Sequence, residues 1–256
     1  MRDVINLRAV LWLSFFASIL VAWGAVFGMI RASGLDYSGR SFWDLCLSSE
    51  AGFGGLTIMW MIMMAAMMLP TMVPTLKVYD DLITRGAGSR GGWIGVLAGY
   101  AVVWALASIG FAGLQVALAR AGITDDLGRA QSIWFAVTLL IVAGAYQLSQ
   151  TKAACQDVCR TPTMYFLGHW RAGATGGLRM GAELGLVCVG CCWAIMGLAF
   201  VGGAMSLIWM GLATVFMVIE KLPDVGRFAR QPVGFGLIFV GVLVAALHIT
   251  EHIIGG

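Results

Sequence analysis

GAELGLVCVGCCWAIMGLAFVGGAMSLIWMGLATVFMVI, residues Gly181–Ile219, contains a single charged side chain, Glu183. A bilayer core about 30 Å thick is crossed by about 20 helical residues, so this block is too long for one crossing. Gly202-Gly203 offers a hairpin break. Whether the chain folds into six or seven helices turns on that break.

The rest of the chain has the same character. Of 256 residues, 60% are hydrophobic and 11% charged, where soluble domains carry roughly 25% charged residues. Mean hydropathy is +0.88. Apolar runs predict spans at about 9–30, 54–76, 92–119, 131–149, 181–200, 203–220 and 233–253. Lysine and arginine decide the count. With seven crossings, one side receives Arg2, Arg8, Lys77, Arg85, Arg90, Lys152, Arg160, Arg171, Arg179, Lys221, Arg227 and Arg230, and the other only Arg31, Arg40, Arg120 and Arg129. Treating 181–219 as one crossing brings the division to nine against seven. The positive-inside bias therefore selects seven helices, with the N-terminus cytoplasmic and the C-terminus outside. The expected fold is an all-α, polytopic transmembrane bundle, a single integral membrane domain over residues 1–256, set in a bacterial inner membrane. The first apolar run reaches Ile30 without a small-residue cleavage site and reads as a retained helix. Small residues four apart, at Gly24/Gly28, Gly95/Gly99 and Gly181/Gly185, predict close helix contacts.

A net charge of +3 and the lack of a basic cluster interleaved with aromatics argue against nucleic acid. No nucleotide loop, hydrolase elbow or kinase signature occurs, and no catalytic residue is assigned. What stands out is sulfur. MWMIMMAAMMLPTM, Met59–Met72, holds seven of the 15 methionines. Met61, Met64, Met68 and Met72 fall on one helical stripe. Thioethers fill apolar gaps, and they are also soft ligands suited to Cu(I). Pro70 predicts a kink or a freed carbonyl near Ala66.

CVGCCW, Cys188–Trp193, sets Cys188, Cys191 and Cys192 at i, i+3 and i+4 on one face. A thiol packs as a small hydrophobe, but a thiolate in lipid is costly without a cation. The trio is therefore inert packing or a soft-metal site. By depth, it and Met64/Met68 both reach mid-membrane. The expected metal site is therefore a joint one, with thiolates from Cys188, Cys191 and Cys192 and thioethers from Met64 and Met68, and Met61 and Met72 on the same stripe, converging on a single soft ion.

Secondary metal or redox candidates are Cys155 and Cys159 in KAACQDVCR, the nearby His169, and His248 with His252 at the end of the last helix. Glu183 is a candidate polar relay, with anchoring as the plainer reading. The Glu220-Lys221 pair reads as a hydrated helix end, and Tyr146-Gln147 as a bridge between helices.

Together MWMIMMAAMMLPTM, AGYAVVW (Ala98–Trp104), AGAYQLSQTKAACQDVCRTP (Ala143–Pro162), GHWRAG (Gly168–Gly173), CVGCCWAIMGLAFVGGAMSLIWM (Cys188–Met210) and EKLP (Glu220–Pro223) resemble an uncharacterised bacterial family of predicted metal-binding integral membrane proteins, domain of unknown function 2182. The resemblance covers about residues 54–230 and implies metal binding, without supplying the metal. Soft sulfur favours copper, as Cu(I). The leading expectation is a copper-binding, delivery or transport bundle that meets the lipid bilayer and a metal donor or acceptor protein. The alternatives are a structural or accessory subunit of a larger membrane complex and a thiol redox membrane protein.

Overall fold

The computed structural model describes residues 2–31, 52–125, 128–202, 207–222 and 225–254. Among these the chain is helical: α1 (Arg2–Ile30), α2 (Gly52–Thr84), α3 (Arg90–Arg120), α4 (Ile133–Leu148), α5 (Gln150–Arg160), α6 (Pro162–His169), α7 (Gly173–Gly197), α8 (Ala199–Gly202), α9 (Leu207–Glu220) and α10 (Gly226–Ile254). Stretches in α1, α2, α3, α7 with α8, and α10 are long and apolar enough to cross a membrane. That is five, or six if α4 and α5, bent by 61° at Ser149, form one broken span. The fourth and sixth expected spans exist as helices, but they have only 16 and 14 residues. The expected Gly202-Gly203 break falls at the end of α8, and Gly203 lies outside the described residues.

Local chemistry sets these boundaries. The Ser89 hydroxyl accepts from the Gly92 N–H and caps α3. Ser149 accepts from the Lys152 N–H, so α5 starts as α4 stops and takes a new direction. Pro162 enters α6 at its first turn, where its missing N–H costs nothing. Pro70 and Pro74 do not end α2, which runs through both.

The closest seam joins α3 to α7. A Cβ added at Gly95 would stand 2.3 Å from the Ala174 carbonyl oxygen, one at Gly99 2.0 Å from Leu178 O, one at Gly177 2.2 Å from Gly92 O, and one at Gly181 2.0 Å from Val96 O. Backbone lies on backbone, with the two helices parallel. The small-residue pairs at Gly95/Gly99 and Gly181/Gly185 thus meet across one interface, as their spacing predicts. Gly24 and Gly28 do not behave this way: among the described residues nothing lies within 4 Å of a Cβ at either, so that spacing makes no close contact there.

Helix α2 runs antiparallel to α3. At one end of the pair, Trp60 stacks on Phe111 at 4.9 Å and donates to Gln115 Oε1 at 2.8 Å. At the other, buried Asp80 accepts from Arg8 Nε at 2.7 Å, Arg90 at 2.8 Å and Trp12 Nε1 at 3.2 Å, tying α1, α2 and α3 together. A buried carboxylate needs such partners. Helices α4 and α10 pack antiparallel, with Gly144 against Gly234 and Ile238.

Gly99→Ala, which must push the α3 and α7 backbones apart, should destabilise the detergent-solubilised protein by about 1–3 kcal/mol. Gly24→Ala should not lower its unfolding temperature. Thermal unfolding of the two variants beside the parent protein checks this contrast.

Candidate metal centre

The α3–α7 seam carries Tyr100 to the cysteine face. Cys188, Cys191 and Cys192 are 1%, 2% and 2% exposed, and their three sulfurs lie within 4.8 Å of one another. Among the described residues they are the His/Cys/Asp/Glu group of three or more that has metal-holding proximity. With the zinc–thiolate distance of about 2.3 Å as a guide, an ion equidistant from three sulfurs needs them about 4 Å apart. The trio is therefore close to a chelating arrangement. Cys191 Sγ lies 3.3 Å from Cys192 Sγ and donates to the Cys188 carbonyl at 3.2 Å. All five described cysteines are free thiols.

Three side chains that sequence reasoning did not assign complete the surroundings. Lys221 Nζ donates to Cys188 Sγ at 3.1 Å and to Thr71 Oγ1 at 2.8 Å. The Tyr100 hydroxyl lies 3.1 Å from Cys188 Sγ and 3.3 Å from the Met68 carbonyl oxygen. Thr71 donates to that same carbonyl at 2.7 Å. Lys221 is not the hydrated helix end that its position suggests. It is 7% exposed and its ammonium sits against a sulfur. The signal was available: a lysine ending an apolar run can turn its head inward when a soft anion waits there, and EKLP is among the motif blocks.

Glu220 faces the other way. Its carboxylate accepts from Lys152 Nζ at 3.0 Å and from Gln147 Nε2, while Lys152 also donates to Gln147 Oε1. Arg160 Nε holds the Glu220 backbone carbonyl at 2.9 Å, and Arg160 also donates to Gln156 at 3.2 Å. Lys152, Gln156, Arg160 and Glu220 are all buried. The polar helix α5, which follows α4, thus sends side chains into the core. It fixes the end of α9, from which Lys221 projects. Tyr146-Gln147 does bridge helices, Tyr146 donating to the Gly190 carbonyl of α7 and Gln147 to Glu220.

The methionines are distributed around this core. Met64, Met68 and Met72 are buried and Met61 half-buried. Met61, Met64 and Met68 line a cavity with Tyr100. The hydrogen-bonded links from α2 to the cysteine helix pass through Tyr100 and Lys221. Cys155 and Cys159 are half-buried on α5 and pack against the core that holds the trio, with Cys159 interacting with the Cys191 thiol.

The remaining candidates have local partners. Glu183 pairs with Arg171 at 2.7 Å and Arg179 at 3.5 Å and accepts from Tyr165 at 2.8 Å. Burial, and next the Glu183 carboxylate, push the Tyr165 hydroxyl well above its ordinary pKa. His169 stacks on the Tyr165 ring at 4.9 Å. His248 meets the Trp134 ring edge-on at 6.0 Å, and the side chain of His252 lies outside the described residues.

Fold and site define an all-helical protein with several membrane-length apolar helices and a dry thiol cluster facing a buried ammonium. Residues 57–244 match the model of a family described as PpoB2, copper chaperone, and the chain belongs to that family. The expected resemblance was to a metal-binding family under another name, and the metal-related character is what the two share. No curated protein matches the chain, and no solved structure does.

Glu220→Leu leaves the Lys152 ammonium buried without its carboxylate and should cost about 3–5 kcal/mol, whereas Lys152→Met combined with Glu220→Leu should recover much of that loss. Denaturant unfolding in micelles measures both.

Proposed function

We propose that this chain is a multi-pass protein of the bacterial inner membrane that takes up Cu(I) on Cys188, Cys191 and Cys192 and hands it to an acceptor protein. The observation that carries the reading is the Lys221 ammonium 3.1 Å from Cys188 Sγ, beside two further thiols, all of them buried. An ammonium in that place stabilises a thiolate where lipid or packed protein otherwise disfavours one. Charge then balances in both states. Without copper, one thiolate faces one ammonium. With it, Cu(I) on two thiolates carries one negative charge, which Lys221 offsets, and one thiol proton leaves. The third thiol gives the ion a further sulfur during exchange. Thiolate sulfur selects Cu(I) over harder ions, and the family's description as copper chaperones supports copper over zinc.

The topology proposed is seven crossings with a cytoplasmic N-terminus. The alternation of helix direction supports it: α1, α3, α7 and α10 run one way and α2, α4 and α9 the other. Helices α4 and α9 are short because the polar side chains of α5 and the end of α9 meet inside the bundle.

Protein purified under reducing conditions should retain copper by mass spectrometry. Cys188→Ala/Cys191→Ala/Cys192→Ala should lose most of it, and equal copper in both would refute the cysteine site. Lys221→Met should weaken Cu(I) binding about 10–100-fold in competition with a chromogenic chelator, because it removes the partner that fixes a ligand's charge. An unchanged affinity would show Lys221 to be structural only.

A further inference from the structure

Away from the cysteines, α9 and α10 leave a crevice between them. Its apolar part, about 230 Å³, is lined by Trp209, Leu212 and Phe216 of α9, Val233 and Leu237 of α10, and Leu198 between α7 and α8. A second hollow of about 240 Å³ lies near the start of α10, lined by Arg230 and Gln231 of that helix and by Asp157 and Arg160 of α5. One stripe of α10 joins the two. Arg230, Val233 and Leu237 fall at i, i+3 and i+7, so the apolar lining begins about 5 Å along the helix from the arginine and continues to about 10 Å.

Charge separates the two ends. Arg160 is 7% exposed and lies 3.6 Å from the Asp157 carboxylate. Arg230 donates to the Ser149 carbonyl at 3.3 Å, a neutral acceptor that leaves its charge in place. Two guanidinium groups therefore share a hollow with one carboxylate, directly beside a greasy slot.

We propose that the two hollows together seat an anionic phospholipid, its phosphate on Arg230 and Arg160 and one acyl chain along Val233 and Leu237. Guanidinium and phosphate form charge-assisted hydrogen bonds, and a basic pocket between membrane helices suits such a headgroup. The apolar continuation selects a lipid over a soluble phosphate. Arg160 Nε also holds the Glu220 carbonyl at 2.9 Å, so the headgroup rests against the frame that carries Lys221. The proposal rests on the membrane reading above and is independent of copper.

The test uses the full-length protein, freed of lipid in a neutral detergent. It is titrated with phosphatidylglycerol and with phosphatidylcholine of the same chains, brominated so that they quench a neighbouring tryptophan. Phosphatidylglycerol should bind about tenfold more tightly, with the gap narrowing at high salt. Trp209 is one of ten tryptophans, and Trp209→Phe should remove the saturable part of the quenching. Arg230→Gln, which keeps an amide donor for the Ser149 carbonyl, should bring the two lipids to equal affinity without lowering the unfolding temperature of the lipid-free protein. Arg230→Lys should retain most of the preference. Inorganic phosphate at the lipid's own concentration should displace nothing. Equal affinity of the parent protein for both lipids, a preference untouched by Arg230→Gln, or quenching untouched by Trp209→Phe would overturn the proposal and leave ordinary boundary lipid. Displacement by inorganic phosphate would give the polar hollow to a soluble anion and overturn it too. Release of the protein from membranes by alkaline carbonate would instead overturn the membrane reading, and this proposal with it.

Discussion

Everything at the centre depends on two backbones touching. Glycines at 95, 99, 177 and 181 let α3 and α7 approach until an added methyl group would stand 2.0–2.3 Å from a carbonyl oxygen. At that separation the Tyr100 hydroxyl reaches Cys188, and the cysteine face turns into the bundle. Interior close-packing leaves no slack for a side chain in that seam. In hydrocarbon, where apolar surfaces gain nothing by associating, close backbone contact is a principal source of helix cohesion.

That seam makes a dry pocket, and a dry pocket makes charge expensive. The protein meets the difficulty with paired groups whose polar atoms are almost all satisfied. Lys152 and Glu220 neutralise one another, Gln147 bridges them, and Arg160 holds the adjacent carbonyl. This frame fixes the end of α9, from which Lys221 faces Cys188 and Thr71. On the proposed reading, this ammonium offsets the thiolate before the metal arrives and the negatively charged complex afterwards, which keeps the loaded and empty states close in free energy, as release of the metal requires.

Much of this was legible in the residues. Apolar runs and glycine spacing gave the all-helical bundle and its tightest interface, and the i, i+3, i+4 spacing of Cys188, Cys191 and Cys192 gave their shared face. The motif blocks converge in space: Met68 and Thr71, Tyr100 and Trp104, Gln147 to Arg160, the cysteines, and Glu220-Lys221 all surround one core. Lys221 was misread because hydropathy counts a lysine at a helix end as hydrated, while its actual position follows from partners far away in sequence. The burial of the α5 side chains was not expected for the same reason, since Lys152 and Arg160 count as hydrated until Glu220 is placed beside them. Gly24 and Gly28 erred in the opposite sense: spacing permits close contact, but a neighbour must be there to use it.

The central claim is that sulfur from Cys188, Cys191 and Cys192 grips a copper ion next to the Lys221 ammonium. The most direct measurement is an anomalous-difference map, recorded at the copper absorption edge, from crystals of protein loaded with Cu(I). A peak among the three sulfurs, beside Lys221 Nζ, is the result expected. A peak elsewhere with none at the trio, or no peak from protein shown to carry copper stoichiometrically, contradicts it.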